Sequence, residues 1–237
     1  MIRTPFHQCQ RNGYQKELER EVKRRTKELK LSFERIKEAS LDTIYRLSVA
    51  SEYKDHDTGS HIKRVSLYAA AVASQLGMDK NTIENILYAA PMHDLGKIGI
   101  PDYILTKPYK LDPAEWEIMK QHTSIGAKIL QGSNAEFIRL GETIALNHHE
   151  KWDGSGYPNN LRGTEIPIAG RIMAIADVFD ALISKRPYRK DPFSIEKALA
   201  IIKEESGSHF DPAVADAFFI IRDEIISIEK QNNNDNV

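Results

Sequence analysis

The 237-residue chain contains only one cysteine and lacks any long apolar run. A single cysteine, Cys9, excludes a disulfide framework and a zinc site built from several cysteines. No stretch approaches the roughly 18–20 apolar residues that are needed to cross a bilayer. Residues 1–13 also lack the apolar core of a signal peptide. We therefore expect a soluble, cytoplasmic protein without a membrane span.

The chain also lacks an excess of charge of either sign. Its 33 basic and 34 acidic side chains give a formal net charge of −1, so no polybasic surface is available to coat DNA. Hydrophobic residues make up 41% of the sequence, which is enough for a packed core and argues against a wholly disordered chain. If a nucleotide binds, its recognition must be local.

Glycine and proline are sparse, with 13 and 10 residues, and the stretches between them have helical periodicity. No alternating strand pattern is present, so the sequence predicts an all-α fold. We expect a compact multi-helix domain preceded by a long N-terminal helix. The predicted boundaries are an unstructured start at 1–13, the long helix at 14–45, the globular domain at 46–228 and a disordered tail at 229–237.

The long helix carries apolar and hydroxyl residues at alternating spacings of four and three. Such a heptad pattern is typical of a coiled coil, although three of its eight positions are hydroxyl residues, which weaken it. A solvated amphipathic helix packed on its own domain is the alternative, and both interpretations stay open. On the coiled-coil interpretation the chain is a parallel homodimer. The heptad positions are Val22, Thr26, Leu29, Phe33, Ile36, Ser40, Thr43 and Leu47.

Several histidines occur close to carboxylates. Asp57 and His61 are one helical turn apart, so their side chains can face the same point. The adjacent pair His93-Asp94 would diverge by roughly 100° in a regular helix, so it predicts a helix end or a pair of bridged metals. The remaining candidates are His122, the adjacent pair His148-His149, and Asp177.

This combination of ligands indicates metal chemistry. Imidazoles and carboxylates without thiolates suit iron, manganese, zinc or cobalt. The candidates outnumber the four ligands of a tetrahedral zinc ion, so a site with two or more metals is favoured. Two metals held close together commonly serve phosphoester hydrolysis.

An ordered set of motifs resembles the HD-GYP family of cyclic di-GMP phosphodiesterases, a branch of the HD phosphohydrolase superfamily. The resemblance covers roughly residues 45–220 and implies an HD-type helical domain. The motifs are Asp57-Thr58-Gly59-Ser60-His61, His93-Asp94-Leu95-Gly96-Lys97, Gln121-His122, Asn147-His148-His149-Glu150, Gly156-Tyr157-Pro158, Ala176-Asp177 and Arg186-Pro187-Tyr188-Arg189.

The resemblance implies a role for each matching residue. Asp94 and Lys97 would be catalytic, and Lys97 would contact the substrate phosphate or protonate the leaving oxygen. Arg186 and Arg189 would hold the second phosphate; the family usually has lysine at the Arg189 position. Two or three divalent ions, iron or manganese, would be bound. Their ligands would be Asp57, His61, His93, Asp94, His122, His148, His149 and Asp177.

Asp57 departs from the glutamate that is usual in members with three metals. The shorter side chain predicts that a third metal binds weakly. Tyr157 lies in a loop that either forms a rigid turn or shapes substrate access and contacts diguanylate cyclases, and both interpretations stay open. Glu150 and Asp153 either orient the ligand imidazoles or are solvated loop charges, and we favour the first.

The predicted function is hydrolysis of cyclic di-GMP to pGpG or GMP by attack of a metal-bridging hydroxide. One alternative keeps this chemistry with another substrate, such as cGAMP or a mononucleotide phosphoester. A second alternative is a non-catalytic module that senses cyclic di-GMP or docks partners, but no ligand is missing from the set. The resemblance further implies diguanylate cyclases (GGDEF proteins) or PilZ-type proteins as partners, and identifies the heptad helix as a signalling helix.

Overall fold

The computed structural model describes residues 5–52, 59–184 and 191–233, and their regular elements are all helices. This confirms the predicted all-α fold class. The β-type pairing within these ranges is a single bridge between Ser206 and Phe210. In the described part of the chain, no helix is both long and apolar enough to cross a membrane.

The chain divides into two compact units, Met1–Ile44 and Tyr45–Val237. Helix α1, Pro5–Glu52, contributes to both units. It begins before the predicted start at 14 and ends after the predicted end at 45. Proline is well tolerated at the first position of a helix, because its missing N–H is not needed there. The predicted division into signalling helix and catalytic domain stays a prediction.

In the first unit, α1 exposes most of its described side chains. Arg24 pairs with Glu21 and Glu28 within the helix, and exposed pairs at this spacing add only about 0.3–0.5 kcal/mol each. Among the apolar heptad residues, Leu29 is 72% exposed and Phe33 is 64% exposed. Packing within the single chain therefore leaves much of this apolar surface uncovered.

The second unit contains ten further α-helices within the described residues. They are α2 Gly59–Gln75, α3 Lys80–Ala89, α4 Asp102–Leu105, α5 Pro113–Met119, α6 Gln121–Leu130, α7 Glu136–Asn147, α8 Ile168–Ile183, α9 Ile195–Glu204, α10 Pro212–Ile220 and α11 Arg222–Asn233. Among the described residues, three short 3₁₀ helices span Ala90–Met92, Leu95–Gly99 and Gly163–Glu165.

Helix α11 continues into the predicted disordered tail at 229–237. Side chains in both halves of the helix are buried. Ile225 is fully buried, Asn232 is buried, and the Asn232 amide donates a hydrogen bond to the Ile228 carbonyl. The asparagine-rich composition of the tail gives no sign of this burial.

The core of the second unit lies between α2 and α8. Helix α2 packs on α3, α8, α10 and α11, and α8 also packs on α7 and α9. Tyr68, Phe179 and Phe218 form edge-to-face contacts through this core, with ring centroids 5.6 and 5.2 Å apart. Burial of such large side chains on both helices fixes their relative position, and with it the carboxylates that α8 carries.

Two interruptions in the helices position the histidines. The helical segment between Pro113 and Leu130 is broken at Lys120 into α5 and α6, so His122 lies in the first turn of α6. His93 and Asp94 lie between two 3₁₀ helices, where Asp94 leaves the helical backbone conformation with φ −103° and ψ 11°. These breaks allow adjacent side chains to converge.

Candidate metal centre

Three histidines are oriented by backbone carbonyl groups near helix ends. His93, His122 and His148 each place Nδ1 against a backbone carbonyl three or four residues earlier. Because a carbonyl oxygen can only accept a hydrogen bond, each Nδ1 carries the proton and each Nε2 carries a lone pair. The Nδ1–oxygen distances are 2.9 Å to Ala90, 2.8 Å to Met119 and 3.1 Å to Ile144.

The three Nε2 atoms converge on the carboxylate of Asp94. The distances from Nε2 to the nearer Asp94 oxygen are 3.4 Å for His93, 3.3 Å for His122 and 3.4 Å for His148. Within the described residues, none of these nitrogens has a hydrogen-bond partner, nor does Asp94 Oδ1. Buried polar atoms are rarely left in this state. A cation among them would satisfy all four atoms, so the arrangement fits a divalent metal.

A second set of residues surrounds His61. Its Nδ1 lies 2.7 Å from Asp180 Oδ2, and its Nε2 lies 3.6 Å from Asp177 Oδ1. The same Asp177 oxygen is 3.9 Å from His93 Nε2. Arg64 completes a buried network by donating from Nε to Asp180 Oδ1 at 2.6 Å. The Asp180 carboxylate thereby fixes the ring of His61, as outer-shell carboxylates commonly do for metal-binding histidines.

The potential ligands form two groups within the described residues. Asp94, His122, His148 and His149 can each offer one atom within 4.8 Å of the others, and so can Glu52, His61 and His93. The contact between His93 and Asp94 connects the two groups, and both contain buried side chains. This arrangement suits two neighbouring cations better than one.

Burial and neighbouring charges lower the pKa of some of these histidines and raise the pKa of others. Burial lowers the pKa of His93 to about 4, although Asp94 and Asp177 partly oppose this. Burial and the neighbouring histidines also hold the pKa of His149 well below its usual value. Both imidazoles are therefore neutral near pH 7 and can donate a lone pair to a metal. For His61, burial is the largest single effect and opposes the charged form. The hydrogen bond and charge of Asp180, together with the charges of Glu52 and Asp177, outweigh it and raise the pKa to about 9.

Lys97 lies at the same carboxylate. Its Nζ is 2.8 Å from Asp94 Oδ2, and its side chain is buried. Burial would raise the pKa of Asp94, but the charge of Lys97 and the surrounding histidines hold it well below its usual value. An ionised Asp94 can accept a lysine and bind a cation at the same time, because a carboxylate offers about four acceptor positions.

Gly96 allows the 3₁₀ helix Leu95–Gly99 to approach α6 closely. A Cβ atom at this position would lie 1.9 Å from the His122 carbonyl oxygen and 2.5 Å from the Gly126 nitrogen. Only glycine permits this separation. The contact places Asp94 against His122, so the glycine sets the distance between two potential ligands.

The loop after His149 lies beside the site. The ring of Tyr157 is 4.8 Å from that of His149, and Gly156 lies so close to Glu150 that a Cβ would come within 2.5 Å of the Glu150 Cα atom. Glu150 accepts hydrogen bonds from the Asn159 and Leu161 backbone at 2.7 and 3.0 Å. Its carboxylate thus holds the loop instead of orienting an imidazole.

Asp153 also binds the loop and no ligand imidazole. It accepts hydrogen bonds from the backbone and hydroxyl groups of Ser155 at 2.8 and 2.7 Å. The favoured interpretation of Glu150 and Asp153 as partners of the ligand imidazoles was therefore wrong, because both carboxylates are engaged by the chain that follows them. Trp152 packs under Arg171, whose guanidinium carbon lies 5.8 Å from the ring centroid.

The structure brings together most of the residues that the sequence singles out. His61, Asp177 and Lys97 lie in the same buried cluster as the four remaining ligand candidates and Asp94, with Tyr157 beside it. Three predicted residues, Asp57, Arg186 and Arg189, lie outside the described residues. Their predicted roles stay predictions.

Sequence reasoning assigned no role to three residues of the cluster, Asp180, Arg64 and Glu52. Asp180 follows Asp177 by three positions and Arg64 follows His61 by three, so both pairs share helix faces, and this spacing could have suggested the network. Glu52 had no comparable signal. It ends α1, nine positions before His61, and only the fold brings its carboxylate within 4.0 Å of His93 Nε2.

A comparison with protein families identifies the family to which the part of the chain that carries this cluster belongs. A family model described as an HD domain matches residues 45–214. The chain belongs to the HD domain family. The match includes the described members of both ligand groups.

Curated relatives agree with this placement. A cyclic di-GMP phosphodiesterase from Thermotoga maritima is 43% identical over 99% of this chain and 63% of its own length. A cyclic di-GMP phosphodiesterase response regulator from Xanthomonas campestris is 47% identical over 78% of this chain and 49% of its length. A 3′3′-cGAMP-specific phosphodiesterase from Vibrio cholerae is 45% identical over 81% of this chain and 37% of its length. These relatives confirm the resemblance to the HD-GYP branch, and the chain spans about one to two thirds of their lengths.

Solved structures share the fold at low sequence identity. A cyclic GMP-AMP-specific phosphodiesterase of V. cholerae aligns with a TM-score of 0.59 and 19% identity, covering 79% of this chain and 50% of that one. An HD-GYP-type protein from Bdellovibrio bacteriovorus aligns with a TM-score of 0.53 and 20% identity, covering 69% and 52%. The helical architecture is therefore that of the HD domain family.

Proposed function

We propose that this chain is a metal-dependent phosphodiesterase that hydrolyses cyclic di-GMP. The observation that carries the proposal is the buried Asp94 carboxylate, which faces three imidazole lone pairs at 3.3–3.4 Å. Two of the relatives named above are cyclic di-GMP phosphodiesterases, at 43% and 47% identity. The combination favours phosphodiester hydrolysis over a purely structural role for the cluster.

The proposed metal site uses both ligand groups. Asp94, His122, His148 and His149 would hold one divalent ion, while His61, His93 and Asp177 would contribute to a neighbouring one. When bound, such ions neutralise phosphate oxygens and lower the pKa of a bound water. Iron and manganese both suit imidazole and carboxylate ligands, and we propose two or three ions per chain. Asp57 is proposed as a ligand of a weakly held third ion.

Lys97 is proposed to act on the phosphate beside Asp94. The Asp94 carboxylate holds its ammonium group at 2.8 Å in a buried position, so the charge is directed before substrate binds. From there the ammonium can bind a phosphate oxygen or donate a proton to the leaving oxygen. Pre-orientation of this kind means that little reorganisation is needed during the reaction.

Arg186, Arg189 and Tyr157 are proposed to bind the rest of the substrate. The two arginines offer forked donors that suit the second phosphate of a cyclic dinucleotide. Tyr157 lies against His149 and also contacts Trp116, with ring centroids 5.9 Å apart. Its ring therefore forms part of the wall beside the proposed metals.

A second substrate is favoured by one specific observation. A relative named as a 3′3′-cGAMP-specific phosphodiesterase is 45% identical over 81% of this chain. Both substrates are cyclic dinucleotides with two phosphodiester bonds, so the same phosphate chemistry applies to each. We propose cyclic di-GMP as the preferred substrate, with pGpG or GMP as product.

We also propose that the chain forms a homodimer through the heptad helix. Diguanylate cyclases and PilZ-type proteins are proposed partners.

A substrate panel tests the proposal. Protein purified without oxygen and loaded with iron or manganese is incubated with cyclic di-GMP, 3′3′-cGAMP or linear pGpG, and the products are separated by chromatography. We expect cyclic di-GMP to be cleaved fastest, and His122→Ala to abolish cleavage of all three. Faster cleavage of cGAMP would overturn the substrate assignment, and no cleavage of either cyclic substrate would overturn the proposed activity.

A further inference from the structure

We infer that Glu52, the last residue of α1, is a metal ligand of this site, so that the N-terminal helix itself completes the metal centre. Nothing in the motif set assigns this residue a role. The inference rests on the proposed metal site and adds a ligand to it.

The position of the Glu52 carboxylate is the first support. Glu52 is only 2% exposed, and its Oε1 lies 4.0 Å from His93 Nε2. This distance is too long for a hydrogen bond. Two atoms bound to one cation at about 2.0–2.2 Å each can lie up to about 4.4 Å apart, so the separation suits a shared cation.

The neighbouring imidazoles are the second support. Nδ1 of His93 is used by the Ala90 carbonyl, and Nδ1 of His61 is used by Asp180. Both rings therefore offer Nε2, and one atom from each ring lies within 4.8 Å of a Glu52 oxygen. Two imidazoles and one carboxylate form the three-ligand set that is common for catalytic divalent metals.

The attachment of the helix end is the third support. The hydroxyl group of Ser51 donates a hydrogen bond to the Leu95 carbonyl at 3.1 Å, and Ser51 itself is buried. Leu95 directly follows Asp94, so the turn that carries Glu52 is bonded to the segment that carries the central ligand. The position of Glu52 is thus fixed by the burial and hydrogen bond of its neighbour Ser51.

Metal binding by Glu52→Gln tests the inference, with Glu38→Gln, an exposed carboxylate of the same helix, as control. Chelated protein is titrated with manganese by calorimetry, and bound metal is counted by mass spectrometry. We expect Glu52→Gln to lose one metal per chain, or to bind it at least about tenfold more weakly, since outer-shell changes alone cost about 10–100-fold. Glu52→Asp should show an intermediate loss, and Glu38→Gln should match the wild type.

Thermal unfolding separates a ligand from a structural side chain. In chelated protein, Glu52→Gln should unfold close to the wild-type temperature, because the amide has the size of the carboxylate that it replaces. In metal-loaded protein it should unfold below the wild type. An equal loss in both states, or unchanged metal count and affinity, would overturn the assignment of Glu52 alone. Failure of the wild type to bind any metal would overturn the proposed metal-dependent function together with this inference.

Discussion

The proposed role of Lys97 can be tested separately from metal binding, because its loss should affect turnover and not metal affinity. Its ammonium group contacts Asp94, a proposed ligand, at 2.8 Å. Lys97→Ala removes a cation that shares this carboxylate with the metal, so metal affinity should not fall. Turnover should fall by about 10²–10⁴-fold, the usual contribution of a positioned acid. Metal analysis together with single-turnover assays measures both; a variant that loses metal but keeps its rate per bound metal would contradict the role.

Asp180 is expected to position His61 without touching substrate. Its carboxylate is fully buried and bound to both His61 and Arg64. Asp180→Asn removes the carboxylate that pairs with the buried Arg64 guanidinium, which should cost about 3–5 kcal/mol of stability. It should also weaken metal binding about 10–100-fold. Denaturant unfolding and metal titration check this.

The exposed Asp216 of α10 provides a matched control for that experiment. Asp216→Asn should leave stability within about 0.5 kcal/mol of the wild type, as is usual for surface changes. If Asp180→Asn behaved like Asp216→Asn in both measurements, the buried network would not support the site.

Gly96 is expected to tolerate no side chain. Gly96→Ala would place a Cβ 1.9 Å from the His122 carbonyl oxygen, and backbone cannot rotate away as a side chain can. We expect a loss of at least about 1–3 kcal/mol, typical of overpacking, and weaker metal binding. Gly99→Ala in the same 3₁₀ helix meets only the Ile125 side chain, at 3.0 Å. It should cost less, and equal losses in thermal unfolding would contradict the account.

At the level of helices, sequence periodicity predicted the all-α fold but missed the interruptions. The break at Lys120 divides a segment whose apolar pattern is continuous, and it lets the His122 ring reach the Met119 carbonyl. Such a break depends on tertiary contacts, here the approach of Gly96 to α6. Local propensity does not contain that information.

The sequence predicted some residues of the candidate site and not others, for a similar reason. His93-Asp94 and His148-His149 were visible because adjacent ligands require a disturbed helix. Glu52 was not visible, because its place in the site depends on how the end of α1 packs onto the segment after Asp94. A residue that joins a site through packing between distant elements leaves no spacing to recognise.

Helix α1 is predicted to form a parallel dimer. Its apolar heptad residues are exposed in the single chain, including Leu29 at 72%, and burial between two chains would remove them from water. Light scattering should find a dimer at micromolar concentrations, and Leu29→Glu with Phe33→Glu should shift it toward monomer. Leu31→Glu, an exposed apolar position off the heptad pattern, should not. A monomeric wild type would reject the coiled coil.

The whole molecule combines a helical HD domain with a cluster of buried side chains that could hold metal ions. Helices α2 and α8 fix His61 and Asp177, the 3₁₀ segments fix His93 and Asp94, and the helix ends of α6 and α7 supply the remaining imidazoles. On the inference above, Glu52 makes the last turn of α1, which belongs to the second unit, part of the same centre.

The most direct test of the central claim is the recovery of cyclic di-GMP hydrolysis as metal is returned to chelated protein. Bound metal and product are measured on the same samples, for the wild type and for Asp94→Ala. We expect no hydrolysis without metal, activity that rises with bound metal in the wild type, and none in Asp94→Ala at any loading. Substantial hydrolysis by metal-depleted Asp94→Ala would contradict it.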